Sequence, residues 1–333
     1  MYNIVLSGLA ILLAAILVIF GGLLFTNSIE FLASKYRIGQ TLVGAVISPI
    51  LTSLPELTVI IVALAHGGLQ GSEISIGTII GEPFMASTIV YPLIILSSFL
   101  GYLKGRRESP VLRPSRDLYL PFLVFSILFP LILVPVFIRC CYLKYVFAVL
   151  MLVSYFVYVY NVARRGKSEL FEESIEDFLF AKIFGYHICF AFIQLAISVL
   201  LIYVGSEGLV KGLIALSQQF HIDAQTLSII IVPSVAALPE SVVGLVWAYR
   251  GRDTLALASV VGEKILYSTF YPSVGMFVTE WYLNTEALFC VLFTTFISIL
   301  MLMYILRQRI GYEMALIGLS GYVAYCLTAF HVL

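Results

Sequence analysis

The sequence predicts an all-α polytopic membrane protein, with ten transmembrane helices arranged as two inverted five-helix repeats. Three observations predict it. Of 333 residues, 61% are hydrophobic and 11% charged, with a mean hydropathy of +1.04; soluble domains are about 45–50% apolar and about 25% charged. The apolar residues fall in runs close to the roughly 20 helical residues that a bilayer core requires. One proline-flanked acidic motif occurs twice, as P-I-L-T-S-L-P-E over 49–56 and P-S-V-A-A-L-P-E over 233–240.

The expected spans are 4–26, 39–65, 72–99, 118–138, 143–163, 182–204, 224–248, 254–278, 284–306 and 311–331. The first begins without a basic leader or a small-residue cleavage site, so it reads as a retained helix. The second, third, seventh and eighth stand apart, because they carry Pro49, Pro55, Pro83, Pro92, Pro233, Pro239 and Pro272. Each proline removes a backbone donor and crowds the preceding turn. Freed carbonyls at that depth are tolerated only inside protein or beside a wet cavity.

Lys and Arg set the expected orientation. Fifteen of them fall in or beside the connections after the odd-numbered spans, and three (Arg139, Lys144 and Lys211) on the other side. Both termini are therefore expected outside, in a multi-pass cell-membrane protein. The formal net charge of +0 predicts no nucleic-acid partner; the partners are the bilayer and small cations. The five cysteines, Cys140, Cys141, Cys189, Cys290 and Cys326, show no metal-binding spacing and read as apolar filler. No cofactor is expected.

The polar segment 164–181 mixes Arg164, Arg165 and Lys167 with Glu169, Glu172, Glu173, Glu176 and Asp177, and reads as a solvated cytoplasmic linker. It divides a first five-helix repeat, 1–163, from a second, 182–333. The halves match beyond the opening motif. G-T-I-I-G-E-P-F over 77–84 pairs with A-S-V-V-G-E-K-I over 258–265, and S-T-I-V-Y-P over 87–92 with S-T-F-Y-P over 268–272. Glu240 follows Glu56 by 184 positions, Glu263 follows Glu82 by 181, and Pro272 follows Pro92 by 180. Such near-constant spacing argues duplication. An odd number of spans per half inverts one half relative to the other, a plan of secondary transporters whose broken helices meet near the midplane.

The candidate site follows from these repeats. An ionised side chain in hydrocarbon costs a few kcal/mol or more, so an intramembrane Glu marks function by default. Residues four apart share a helix face. Thr78, Glu82 and Ala86 therefore line one face of the third span, and Ser259, Glu263 and Tyr267 the equivalent face of the eighth. Thr52, Ser53 and Glu56 cluster at the break in the second span, with Ala236, Ala237 and Glu240 as their counterparts. Convergence of the repeats would bring Glu56, Glu82, Glu240 and Glu263 together. Carboxylate and carbonyl oxygens suit hard cations such as Ca²⁺, Na⁺ or Mg²⁺, and clustered carboxylates oppose one another's ionisation, which makes some of them proton carriers. The bland readings differ by residue. For Glu82 and Glu263 the alternative to function is a protonated packing group or a partner for Lys264, and for the four hydroxyls it is donation to their own helices. Lys264 reads as a structural counter-ion, or as a tethered ammonium that lowers the charge moved per cycle. Tyr91 and Tyr271 read as helix-end or packing residues.

The T-S-L-P-E of 52–56, the A-L-P-E of 237–240 and the paired E-containing motifs together resemble the cation/Ca²⁺ antiporter superfamily, and within it the prokaryotic sodium/calcium exchangers. The resemblance covers the topology of the whole chain, and in motif about 40–92 and 225–275. It implies alternating access through a sliding gate of the first and sixth spans, with Ca²⁺ on Glu56 and Glu240. The chain departs from the family pattern around that pair. The leading Gly is Leu51 and Val235, the following Asn is Thr78 and Ser259, the Na⁺-holding Ser is Glu82 and Glu263, and the next Asn or Asp is Ala86 and Tyr267. Lys264 stands where the family often has Asn. If all four Glu ionise, the site carries a formal charge of −3.

The first expectation is a cation antiporter, not an enzyme, moving Ca²⁺ or another divalent ion against Na⁺ or H⁺. The competing readings are an antiporter fold with an organic or lipid-like cation as cargo, a membrane enzyme using paired carboxylates, and a non-transporting sensor locked by Lys264.

Overall fold

The computed structural model describes residues 2–35, 53–138, 141–165, 179–180 and 188–330. The first expected span is the body of α1 (Tyr2–Lys35). Of the second, only the end is described, as α2 (Leu54–His66), with Pro55 in its first turn. A proline is tolerated there because the first-turn N–H groups have no helical acceptor. Gly67 and Gly68, at φ 72° and 68°, then turn the chain straight into α3 (Gly68–Met85).

α3 does not end at its prolines. A π-helical turn, Ala86–Val90, joins it to α4 (Tyr91–Leu103), with the Tyr91 N–H reaching back five residues to the Ala86 carbonyl. Pro92 cannot donate and would crowd the carbonyl four residues back, and widening the turn relieves both problems. The fourth span begins with a 3₁₀ turn, Arg116–Leu118. It continues as α5 (Tyr119–Leu128), a second 3₁₀ stretch, Phe129–Leu133, and the short α6 (Val134–Phe137). Pro130 and Pro135 lie in these last two pieces and account for the interruption.

α7 (Cys141–Arg165) and α8 (Ile188–Phe220) follow. α9 (Ala224–Tyr249) carries the second acidic motif, and its arms Ala224–Ala236 and Ser241–Tyr249 are bent by 59°. The eighth expected span is two helices, α10 (Asp253–Ser268) and α11 (Phe270–Val278), broken at Thr269 (φ −133°, ψ −72°). α12 (Thr285–Leu306) and α13 (Tyr312–Ala329) complete the fold.

Among the described residues, six helices are long and apolar enough to cross a membrane, or seven with the bent α9 as one span. The other expected spans have different fates. Most of 39–65 lies outside the described residues, 254–278 is divided at Thr269, and 311–331 is the 18-residue α13.

Close helix approaches give the architecture. A Cβ on Gly205 would stand 2.8 Å from the Ala14 carbonyl, and one on Gly21 2.9 Å from Ile202, so α1 and α8 run antiparallel in near-backbone contact. A Cβ on Gly77 would overlap the Ser228 hydroxyl, and one on Gly81 would lie 2.6 Å from the Ile229 carbonyl, so α3 and α9 run parallel. Small residues at such seams are how membrane helices gain packing without a hydrophobic drive. This explains the G-T-I-I-G run: it seats α9 on α3 and so positions Glu82 one residue later.

At one end of the bundle, Arg107 forms a bidentate pair with Asp253, at 2.9 and 3.0 Å, and also donates to the Ala248 and Val111 carbonyls. Asp253 in turn accepts the Arg113 N–H at 2.6 Å. The connection between α4 and α5 is thereby pinned to the start of α10, and a bridge between Leu112 and Ile310 ties it to the turn before α13.

Candidate functional site

The sequence-derived residues meet where α2, α3 and α10 cross. Glu56 lies in the first turn of α2, which begins inside the protein, and it is buried, as is Glu82 on α3. Each has one carboxylate oxygen, Oε2, with no hydrogen-bond partner in the protein. Such groups are rare in protein interiors and call for an explanation, a bound ion among them. Glu263, on α10, is half-buried and lies within electrostatic reach of both Glu56 and Glu82, which also reach each other. The bundle thus brings three of the four expected carboxylates together. Glu240 belongs to the bend of α9, but its side chain lies outside the described residues, as does all of Thr52. Among the described residues no three His, Cys, Asp or Glu side chains stand in metal-holding geometry.

The hydroxyls divide into two kinds. Thr78 donates to the Ile74 carbonyl of its own helix at 2.8 Å, and Ser259 to the Ala256 carbonyl at 3.0 Å. Both protons are committed locally, and what these residues retain for a ligand is oxygen lone pairs. Ser53, at the start of α2, instead reaches across the molecule. Its hydroxyl is 2.6 Å from the Tyr271 hydroxyl, so α11 clasps the entry to the Glu56 turn.

Three further residues bear on the site, and helix spacing already puts Tyr267 on the Glu263 face. Tyr267, which stands where the resemblance expects Asn or Asp, is buried among Glu56, Glu82 and Glu263, and its hydroxyl has no partner in the protein. Its ring packs 4.5 Å from that of Tyr271. Tyr271 is therefore a site-wall residue as well as a helix-start residue. Ser298, on α12, reaches the Lys264 ammonium. The S-T…Y-P repeat was a signal for Tyr271 and the four-residue spacing from Glu263 for Tyr267; nothing in the α12 sequence pointed to Ser298.

Lys264 is buried, and its contacts are hydroxyls and ring faces. Outside this cluster, Asp253 pairs with Arg107 and Glu207 with Lys211. Glu82 is within electrostatic reach of the ammonium without forming such a pair.

An all-helical membrane protein that buries several carboxylates beside broken helices has the build of an ion-translocating protein. The chain belongs to the sodium/calcium exchanger family, whose model, "Sodium/calcium exchanger protein", matches residues 6–164 and 190–331. A curated relative, an uncharacterized membrane protein of Methanocaldococcus jannaschii, is 23% identical over 254 residues, covering 76% of each chain. Among solved structures, the sodium-calcium exchanger NCX_Mj soaked with Na⁺ and Sr²⁺ aligns with a TM-score of 0.60 at 21% identity, over 98% of this chain and 99% of that one. The H⁺/Ca²⁺ exchanger CAX aligns with a TM-score of 0.72 at 17% identity, over 96% of this chain and 82% of that one. The fold is thus shared with both kinds of exchanger.

Proposed function

We propose that this protein is a secondary-active antiporter that exchanges Ca²⁺, or another divalent cation, for Na⁺ or H⁺ at a site built around Glu56, Glu82, Glu240 and Glu263. The observation that carries the proposal is the convergence of Glu56, Glu82 and Glu263 inside the bundle, two of them with a buried oxygen that no protein group satisfies. A hard divalent cation supplies what that arrangement lacks: charge for the carboxylates and a partner for the orphaned oxygens. Ser53, Thr52, Thr78 and Ser259 offer further oxygens.

The topology proposed with this function is ten spans in two inverted repeats, 1–163 and 182–333, about the linker 164–181, with both termini outside. The antiparallel pairing of α1 with α8 supports it, as does the match of the family in two stretches. The α1–α8 pair is held together by near-backbone contact, and it slides as one body past the carboxylates to expose them to either side.

Proton coupling has its own support. With glutamates at both positions where the family has a Na⁺-holding Ser, three mutually exposed carboxylates cannot all remain ionised between cation-loaded states. Proton uptake as the divalent ion leaves resolves this. The test is flux of Ca²⁺ and other cations into proteoliposomes, with Na⁺ and pH gradients imposed separately. Gradient-dependent uptake that Glu56→Gln and Glu240→Gln abolish is expected; no uptake of any cation under either gradient contradicts the proposal.

A further inference from the structure

We propose that Lys264 is a resident monovalent cation: its ammonium fills a cation cage beside the carboxylate cluster, a place that a free ion would otherwise occupy. The inference rests on the reading of the cluster as a cation site, and extends it to a pocket beside that cluster. The Nζ donates to the Ser87 hydroxyl at 2.7 Å and approaches the Ser298 hydroxyl at 3.4 Å. It also lies over two aromatic faces, 4.6 Å from the centroid of Tyr91 and 4.7 Å from that of Phe125. These four groups come from four elements: the π turn, α12, α4 and α5. None is anionic. Hydroxyl oxygens and ring quadrupoles form the environment that recognises ammonium-type cations, and Lys264 is 2% exposed within it.

The cage is connected to the site. Lys264 follows Glu263 directly, and Ser87 lies five residues beyond Glu82, within whose field the ammonium stands. A charge delivered by the chain itself stays behind when the transported ions leave. One positive charge of the loaded site therefore never crosses the membrane.

The test uses the full-length protein purified in detergent, in which Lys264→Ala and Lys264→Ser empty the cage. Thermal unfolding is followed while methylammonium chloride, NaCl or choline chloride is titrated at constant ionic strength. For either variant, methylammonium is expected to raise the unfolding midpoint by roughly 2–4 °C once its concentration exceeds the dissociation constant several-fold. Choline, too large for the cage, leaves it unchanged, and the wild type responds to neither methylammonium nor choline. Adding Ser87→Ala to either variant weakens the response. Recovery of folded variant only when methylammonium or Na⁺ is present throughout purification counts as the same result. Folded variants that respond no differently from the wild type overturn the proposal, and so does failure of both to fold even with methylammonium. Because the readout is binding, absence of cation flux in the wild type would remove the antiport reading while leaving this result to be judged separately.

Discussion

The two acidic crossings of this protein share a sequence pattern yet are built differently. In the first, α3 runs on through a π turn into α4. In the second, α10 stops at Thr269 and α11 begins anew. Glu82 is followed by Pro83, Glu263 by Lys264. The paired serines and tyrosines take different partners. Ser87 accepts the Lys264 ammonium, whereas Ser268 donates to the Ile265 carbonyl of its own helix. Tyr91 offers its ring to Lys264 and leaves its hydroxyl without a protein partner, whereas Tyr271 spends its hydroxyl on Ser53. Repeated letters thus secure neither the same backbone path nor the same contacts. The change from Pro83 to Lys264 redirects the residues around it: one half supplies a charge and the other receives it.

The sharpest way to break this comparison is to remove the carboxylates one at a time. Glu56→Gln is expected to lower cation flux by about 100-fold or more, since leaving a buried charge without its counter-charge costs roughly 3–5 kcal/mol. Glu82→Gln and Glu263→Gln should each fall short of that. Equal losses at all four positions, measured as initial rates in proteoliposomes, would erase the distinction between the L-P-E pair and the pair that follows it.

The next effect concerns the frame that holds both crossings. Arg107→Met leaves Asp253 buried without its partner and should cost about 3–5 kcal/mol of stability, read as a lower midpoint of thermal unfolding. Gly77→Ala drives a methyl into Ser228 and should cost about 1–3 kcal/mol. The matching position of the second half is already Ala258, so Ala258→Gly should cost only about 1 kcal/mol, through backbone entropy.

The smallest expected effects distinguish the two tyrosines. Tyr271→Phe removes the hydrogen bond to Ser53 and should destabilise by about 0.5–1.5 kcal/mol. Tyr91→Phe removes a buried hydroxyl that has no protein partner and keeps the ring over Lys264, so it should be neutral or slightly stabilising in the same assay. A reversal of that order would show that the two residues have been assigned each other's roles.

Much of this was legible in the sequence, for physical reasons. Apolar run length follows bilayer thickness, and a carboxylate within such a run is too costly to be casual, so Glu56, Glu82 and Glu263 stood out from composition and spacing alone. The helix period put Glu82 and Thr78 on one face, but it could not tell whether the Thr78 hydroxyl faces a ligand or its own Ile74 carbonyl, because the two differ only by a side-chain rotation. Ser298 and Phe125 were beyond reach for another reason. They lie on helices with no repeated motif, and a serine or phenylalanine in an apolar span looks the same whether it meets lipid, core or an ammonium. The π turn at Ala86–Val90 was also hidden, since Pro92 is equally compatible with a break, which is what Pro272 accompanies in the other half.

The central claim, that the glutamate cluster binds a divalent cation and exchanges it across the membrane, is tested most directly by radioactive Ca²⁺ uptake into proteoliposomes under an outward Na⁺ or H⁺ gradient. Wild type and Glu56→Gln are to be compared at matched protein content. Uptake that needs one of the gradients and disappears in Glu56→Gln is the expected result. Uptake of equal size in both proteins, or no uptake by the wild type under either gradient and with any divalent cation offered in place of Ca²⁺, would contradict it.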